Sequence, residues 1–443
     1  MGLGGCVGII NATPFTWTQI GVSSYQFISW DSSFPSSIKP GDVFKNYIEW
    51  DTGIFVDEGD TFGSVTFQLD NPSSTTFEFH ALHPDGQPYN VYVNPSNFDV
   101  ANANHDNDVI NLGFIHDECV AFYLSGEQEH IYANSAPVDW MHSTLDVIGN
   151  ETLQGITLPG SHDAGIGPDV EYGTVFATPA NVRTQGLAIG GQLIEGVRWF
   201  DIRPVIGDGG KWLTGHYSGG DNSQGANGES IEEIILQLNT FLSVYQELVI
   251  LELSHAYNTD DDYRDLNQDE WNTLFDTLTT NVKYLYTEDV PDLSTIKISD
   301  FIADGPSVLI VARPDDTITL GSYSTAGIHP DSSFKVFNSY ADSSDPDAVI
   351  SDQLNKMANW RTIDPSQNVF LLSWTETENG IDNVFGNGIE ANAYEINQRL
   401  FGNVAPVLSA NNRPNIIMED WVQTNEMVSF SMAINWLQQN LWN

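Results

Sequence analysis

The sequence predicts two domains: an N-terminal β-sandwich over 1–135, followed by a (β/α)8 TIM-type barrel over 136–443. Three observations predict it. The chain has 443 residues, 41% of them hydrophobic, which is enough to bury more than one core. Its first third is built of short runs that alternate apolar and polar residues. Beyond about residue 136 the texture changes, and continuous apolar runs alternate with amphipathic stretches.

In the first domain "SVTFQLD" (64–70), "TTFEFHAL" (75–82) and "YNVYVNP" (89–95) alternate in period two, and "CVAFYLSG" (119–126) has a similar character. Gly, Pro, Asn and Asp separate them, so the pattern predicts antiparallel strands with one face buried. In the second domain eight apolar runs read as strands: 155–161, 197–204, 211–217, 248–255, 306–313, 334–340, 368–374 and 415–421. Runs apolar on both faces suit a parallel sheet covered by helices. The helical period appears between them, as in "SIEEIILQLNTFLSVY" (230–245) and "GIEANAYEINQRLF" (388–401).

Charge narrows the function classes. Fifteen Lys+Arg face 60 Asp+Glu, a net charge of −45. Phosphate backbones need clustered cations, so nucleic acid is excluded as a partner. Electrostatic docking on anionic membranes is disfavoured as well, and mutual repulsion favours a soluble monomer. No apolar run reaches bilayer-spanning length. The opening "MGLGGCVGII" lacks the basic and long apolar regions of a signal peptide, and Cys6 stands where a myristoylation site has Ser or Thr. Cys6 and Cys119 read either as two buried thiols or as one disulfide tying the first strand to the end of the first domain. Two sequons, at Asn11 and Asn150, join the acidity in favouring a secreted glycoprotein.

Catalytic groups of such a barrel project from the C-terminal ends of its strands. Those ends carry His162 and Asp163, then Asp201 and Arg203, His216, Glu252 and His255, Arg313, Asn338 and Tyr340, and finally Glu419 and Asp420. A lone histidine is usually structural, but this many ionisable groups at one rim predict a site. Two histidines with carboxylate partners and an arginine suit phosphodiester cleavage. One imidazole takes a proton from an attacking hydroxyl and the other gives one to the leaving alcohol. A guanidinium fork holds the non-bridging phosphate oxygens.

Several segments carry a resemblance. "WMHSTLDVIGNETLQGITLPGSHDAGI" (140–166) resembles the opening of the X domain of phosphatidylinositol-specific phospholipases C. "RTQGLAIGGQLIEGVRWFDIRP" (183–204), "LVILELSHAYN" (248–258) and "NIIMEDWV" (415–422) are similar to later segments of the metal-independent and X-domain-only members. The resemblance spans about 136–443 and implies nothing for 1–135. It implies that His162 is the general base for the inositol 2-hydroxyl, with Asp420 behind it. His216 would be the general acid, paired with Asp163, and Arg203 would hold the phosphate. Calcium-dependent members carry an acidic ligand at the place of Arg203, so the resemblance implies catalysis without a cofactor; Asp201 and Glu252 are the ligands if calcium is used. Arg313, Asn338 and Tyr340 fall where bacterial members contact inositol, and His255 is both a further substrate contact and the reserve acid. The chain departs from the pattern after the second histidine, where "TGHYSGG" lacks the usual Gly, and at Asn338, where bacterial members have Asp.

The sequence thus predicts a phospholipase C-type phosphodiesterase acting on phosphatidylinositol or a related phospholipid at a membrane or micelle interface. The alternatives are another head group (choline, ethanolamine or a glycerophosphodiester) and a lipid-binding protein without catalysis. The long loop 164–190, with Tyr172, Val175 and Phe176, reads either as a lid or interfacial contact or as an ordinary surface loop.

Overall fold

The computed structural model describes residues 2–84, 87–95, 109–127, 130–134, 136–218, 223–377 and 388–442. The chain divides into two compact units. The first comprises 1–137, 398–412 and 429–443, the second 138–397 and 413–428.

The first unit has two sheets. One contains Gly2–Ala12, Phe27–Ser29, Val43–Asp51, Cys119–Glu127 and His130–Tyr132, and the other holds six strands that include Trp17–Tyr25, Phe62–Leu69, Thr76–Leu82 and Asn90–Pro95. Period-two patterning has its expected result in Phe62–Leu69, where Val65, Phe67 and Leu69 are buried and the residues between them are not. These side chains share one apolar core with Val7, Ile9, Ile48, Trp50 and Phe122 of the opposite sheet, the layout expected of a β-sandwich. One expectation fails: the strands are not all antiparallel. Gly2–Ala12 runs parallel to Cys119–Glu127, with Cys6 opposite Cys119. That register places their Cα atoms 4.4 Å apart, and the two cysteines form a disulfide. It closes a separation of 113 residues. In the chain-entropy account, closing so long a loop stabilises by about 4–5 kcal/mol. Cys119→Ser is therefore expected to lower the urea midpoint of the full chain to match wild type under reductant. Equal midpoints for variant and oxidised wild type would refute this.

A cut at 135/136 does not describe the compact units, because two C-terminal pieces belong to the first. The reason is packing: Phe430 stacks on Tyr123 and Phe401 meets it edge-on. Gly8 permits the approach, since a Cβ there would lie 2.0 Å from the Phe401 ring. The Asn11 sequon is corrected too. Asn11 is 0% exposed and donates from Nδ2 to the carbonyls of Phe15 and Ile38, so no glycan can reach it in the folded chain. Asn150 is exposed.

The second unit is organised on eight parallel strands: β1 Leu158–Ser161, β2 Trp199–Ile202, β3 Leu248–Leu253, β4 Ser307–Ala312, β5 Ile328–Pro330, β6 Val336–Phe337, β7 Val369–Trp374 and β8 Ile416–Glu419. Their order in the sheet is β5-β4-β3-β2-β1-β8-β7-β6, so chain neighbours pair all the way round from β5 to β6. This is the strand order of a TIM-like barrel. β3, β4 and β7 are buried at every residue, as continuous apolar runs require. Among the helices, Ile231–Leu242 starts at Ser230, whose side chain accepts from the Glu233 amide, and it buries Ile234, Ile235 and Leu238.

Two strand expectations need correction. Lys211–Tyr217 is not a barrel strand. It pairs antiparallel with Pro204–Gly207 and with Gly225–Ser230, in a separate six-stranded sheet. The cause is a tight turn, in which Asp208, Gly209 and Gly210 all have positive φ (51°, 80° and 92°) and fold the chain back onto Pro204–Gly207, the short strand that follows β2. The barrel takes Ile328–Pro330 instead, three residues too short to stand out as a run.

Candidate active site

Parallel register alone brings the first pair together. Ser161 of β1 lies opposite Glu419 of β8, so the next residues, His162 and Asp420, leave adjacent strands side by side. The His162 amide donates to the Glu419 carbonyl at 3.1 Å, and His162 Nδ1 lies 2.7 Å from Asp420 Oδ1. A carboxylate on Nδ1 takes the ring proton there and leaves Nε2 with its lone pair. Burial disfavours the charged ring, but the charge and hydrogen bond of Asp420 outweigh burial and the opposing Arg203. The His162 pKa stands above the ordinary imidazole value.

Asp201 and Arg203 are two residues apart and share one face of the chain leaving β2. Arg203 is the hub. Its Nε donates to Asp201 Oδ2 at 3.0 Å and its Nη1 to Asp163 Oδ2 at 3.2 Å, while Nη2 lies 2.8 Å from His162 Nε2. Burial penalises the guanidinium, yet the two carboxylates more than compensate and its pKa is raised. Asp201 would be raised by burial but is held well below the usual carboxylate range, chiefly by Arg203. Asp163 is 0% exposed and its pKa is raised by burial, against the pull of Arg203 and His216.

His162 and Asp163 are neighbours with different partners because the backbone turns between them. Asp163 has φ 41°, in the left-handed region. His255 after β3 (φ 48°) and Trp421 after β8 (φ 59°) do the same. Such residues cost about 1–3 kcal/mol each and cluster at functional sites. Thr184 braces two of them: its Oγ1 donates to the Asp163 carbonyl, and the Trp421 amide donates to the Thr184 carbonyl.

His216 reaches the site from the antiparallel sheet, not from a barrel strand. The Gly215 amide donates to the Arg203 carbonyl at 2.9 Å, which ties that strand to the end of β2. His216 Nδ1 lies 3.9 Å from Asp163 Oδ2, an ion-pair distance, but its hydrogen bond goes to the Val182 carbonyl at 2.9 Å. That carbonyl fixes the proton on Nδ1 and turns Nε2 outward. The Asp163 pairing implied by the resemblance is therefore electrostatic, with the hydrogen bond made elsewhere.

Arg313 faces Glu252 across β3–β4, with Nε 2.8 Å from Oε1 but without the angle of a hydrogen bond. Burial pushes Glu252 up to about 7 against the pull of Arg313. His255 Nδ1 lies 2.9 Å from Ser254 Oγ, and its pKa is lowered by burial and by Arg203. Asn338 and Tyr340 follow β6 and are exposed, and no recorded interaction brings either to the His162 cluster among the described residues. Val175 and Phe176 are 90% and 63% exposed, so that loop offers an apolar tip; the Tyr172 side chain lies outside the described set.

The possible calcium ligands do not fit a divalent ion. Asp201 is occupied by Arg203 and Ser254, and Glu252 faces a guanidinium. A fixed cation already holds the charge position between Asp163 and Asp201.

Sequence reasoning missed three residues. Gln185 is fully buried and ties the ends of β1 and β8: Nε2 donates to the carbonyls of His162 and Glu419, and Oε1 accepts from the Val422 amide. Thr184 braces Asp163 and Trp421, and Ser254 links Asp201 to His255. The signal was present in "RTQ" and "LSH", where polar residues sit beside candidates.

No family model matches the chain, and no curated protein matches it. Solved structures of phosphatidylinositol-specific phospholipase C from Staphylococcus aureus are similar to it. One mutant form has 17% identity and a TM-score of 0.47, covering 68% of this chain and 97% of that one. Another has 17% identity and a TM-score of 0.49, covering 68% and 99%. A third structure, from work on membrane binding, has 18% identity and a TM-score of 0.49, covering 68% and 98%.

Proposed function

We propose that the chain is a phospholipase C-type phosphodiesterase that cleaves phosphatidylinositol or a close relative by attack of a head-group hydroxyl. One observation carries the reading. A half-buried imidazole is held as a base by Asp420, and its other nitrogen meets a guanidinium seated between two carboxylates.

The chemistry follows from those positions. His162 Nε2 removes the proton of a substrate hydroxyl, whose oxygen attacks phosphorus. In the free protein Arg203 Nη2 takes the place of that hydroxyl on Nε2. Substrate binding exchanges this contact: the hydroxyl turns to Nε2, and the fork turns to the non-bridging phosphate oxygens. The phosphorus–glycerol oxygen bond breaks, and imidazolium His216 gives its Nε2 proton to the departing oxygen. Products are a cyclic phosphodiester and diacylglycerol. His162 is left protonated and His216 neutral; proton exchange with water resets both. Asp163 and Asp201 hold Arg203 in place.

Arg313, His255, Asn338 and Tyr340 remain the proposed head-group contacts, and Val175 with Phe176 the contact with the lipid interface. The disulfide and the exposed Asn150 support a secreted protein. The high net charge supports a monomer. A panel of phosphatidylinositol, phosphatidylcholine, phosphatidylethanolamine and glycerophosphoinositol in micelles tests the reading. It expects turnover confined to inositol-bearing diesters. Cleavage of the choline lipid alone, which has no neighbouring hydroxyl, would overturn the intramolecular mechanism, and binding without turnover of any would overturn catalysis.

A further inference from the structure

A third imidazole stands beside the pair already described, and its hydrogen bonds run in one direction only. Asp201 is a carboxylate; its Oδ2 is engaged by Arg203 and by the Asp163 amide at 3.1 Å. Its Oδ1 lies 3.0 Å from Ser254 Oγ. A carboxylate has no proton to offer, so the Ser254 hydroxyl must donate to it. That leaves Ser254 only lone pairs for His255 Nδ1, 2.9 Å away. His255 must then carry its proton on Nδ1 and present Nε2 as an acceptor. His255 is exposed as a residue, and its Nε2 makes no hydrogen bond to protein among the described residues. Burial and Arg203 both disfavour its charged form. The residue is held at φ 48°, so the backbone is fixed as well as the tautomer.

A cavity of ≈ 260 Å³ adjoins it, lined among others by His255, Tyr257, Leu266, Trp271 and Arg313. Leu266 and Trp271 are buried and give an apolar floor. Around it stand an acceptor nitrogen, a phenol and a guanidinium. An apolar floor with a few directed polar groups suits a ring that carries hydroxyls on its edge and C–H bonds on its face.

We propose that Ser254 is a positioning residue: by relaying Asp201 to His255 it locks His255 Nε2 as the acceptor for a head-group hydroxyl, so that the cavity selects a polyhydroxylated ring. This rests on the function proposed above, and the two can fail separately. The relay is read without turnover, from long-range nitrogen–proton NMR of the full-length labelled protein at neutral pH. Wild type is expected to show His255 protonated on Nδ1, Ser254→Ala to lose that preference, and Ser254→Thr, which keeps the hydroxyl, to retain it. The Nε2 tautomer in wild type, or no change in Ser254→Ala, overturns the proposal whether or not the protein is an enzyme.

Kinetics on phosphatidylinositol micelles read the consequence. One misdirected hydrogen bond raises KM about 5-fold, with the loss falling on KM more than on kcat, and Ser254→Thr restores it. A loss confined to kcat overturns the selective role, since it would place Ser254 behind Arg203 instead. If no turnover is seen, titration with myo-inositol replaces KM. Shifted His255 resonances that weaken in Ser254→Ala support the proposal, and unshifted resonances refute it.

Discussion

Arg203→Met is expected to cut the proposed phosphodiester cleavage sharply and also to loosen the second unit. Loss of a preorganised donor to transition-state charge lowers kcat by about 10²–10³-fold. The stability effect has a separate cause. Asp163 and Asp201 are both buried, and both are ion-paired with this one guanidinium. Removing one partner from a buried pair costs about 3–5 kcal/mol, because the remaining charge stays buried without a counterion. Arg203→Lys separates the two effects. A lysine restores a positive charge but not the fork that reaches Asp201, Asp163 and His162 together. It is expected to recover most of the urea stability and little of the activity. An Arg203→Lys variant with near wild-type kcat would show that the charge alone matters.

His162→Ala is expected to lower kcat by about 10²–10⁴-fold, while the backbone bond from the residue 162 amide to the Glu419 carbonyl still joins β1 to β8. The pH profile carries the finer prediction. A general base must be neutral, and the His162 pKa is raised by Asp420 over the opposing effect of burial. The acid limb of kcat/KM should therefore lie above the ordinary imidazole value. Asp420→Asn removes the raising charge, so the limb moves to lower pH as the maximum rate falls. A limb that stays in place in Asp420→Asn would separate Asp420 from the base.

Much of this site was legible because barrel geometry converts sequence position into spatial position. The residue after β1 and the residue after β8 must be neighbours once the strands pair, so His162 and Asp420 could be read from two apolar runs. Asp201 and Arg203 could be read from one. His216 was read for the wrong reason. Its strand reads as one more strand-like run in the series, and the Asp208-Gly209-Gly210 turn sends it into the antiparallel sheet. Ile328–Pro330 was invisible because three residues carry no period. The membership of 398–412 and 429–443 was invisible for another reason. An amphipathic helix shows that it has an apolar face, not which core receives it. Ser254 and Gln185 act through hydrogen bonds to atoms distant in sequence, so their places beside His255 and Thr184 hint at a role without showing which partners they serve.

The most direct test of the central claim is phosphorus NMR of phosphatidylinositol micelles incubated with the full chain in EDTA. The account predicts an early cyclic inositol phosphate signal, lost in His162→Ala and in Arg203→Met. Activity that requires added calcium, or an acyclic phosphate as the first product, would contradict it.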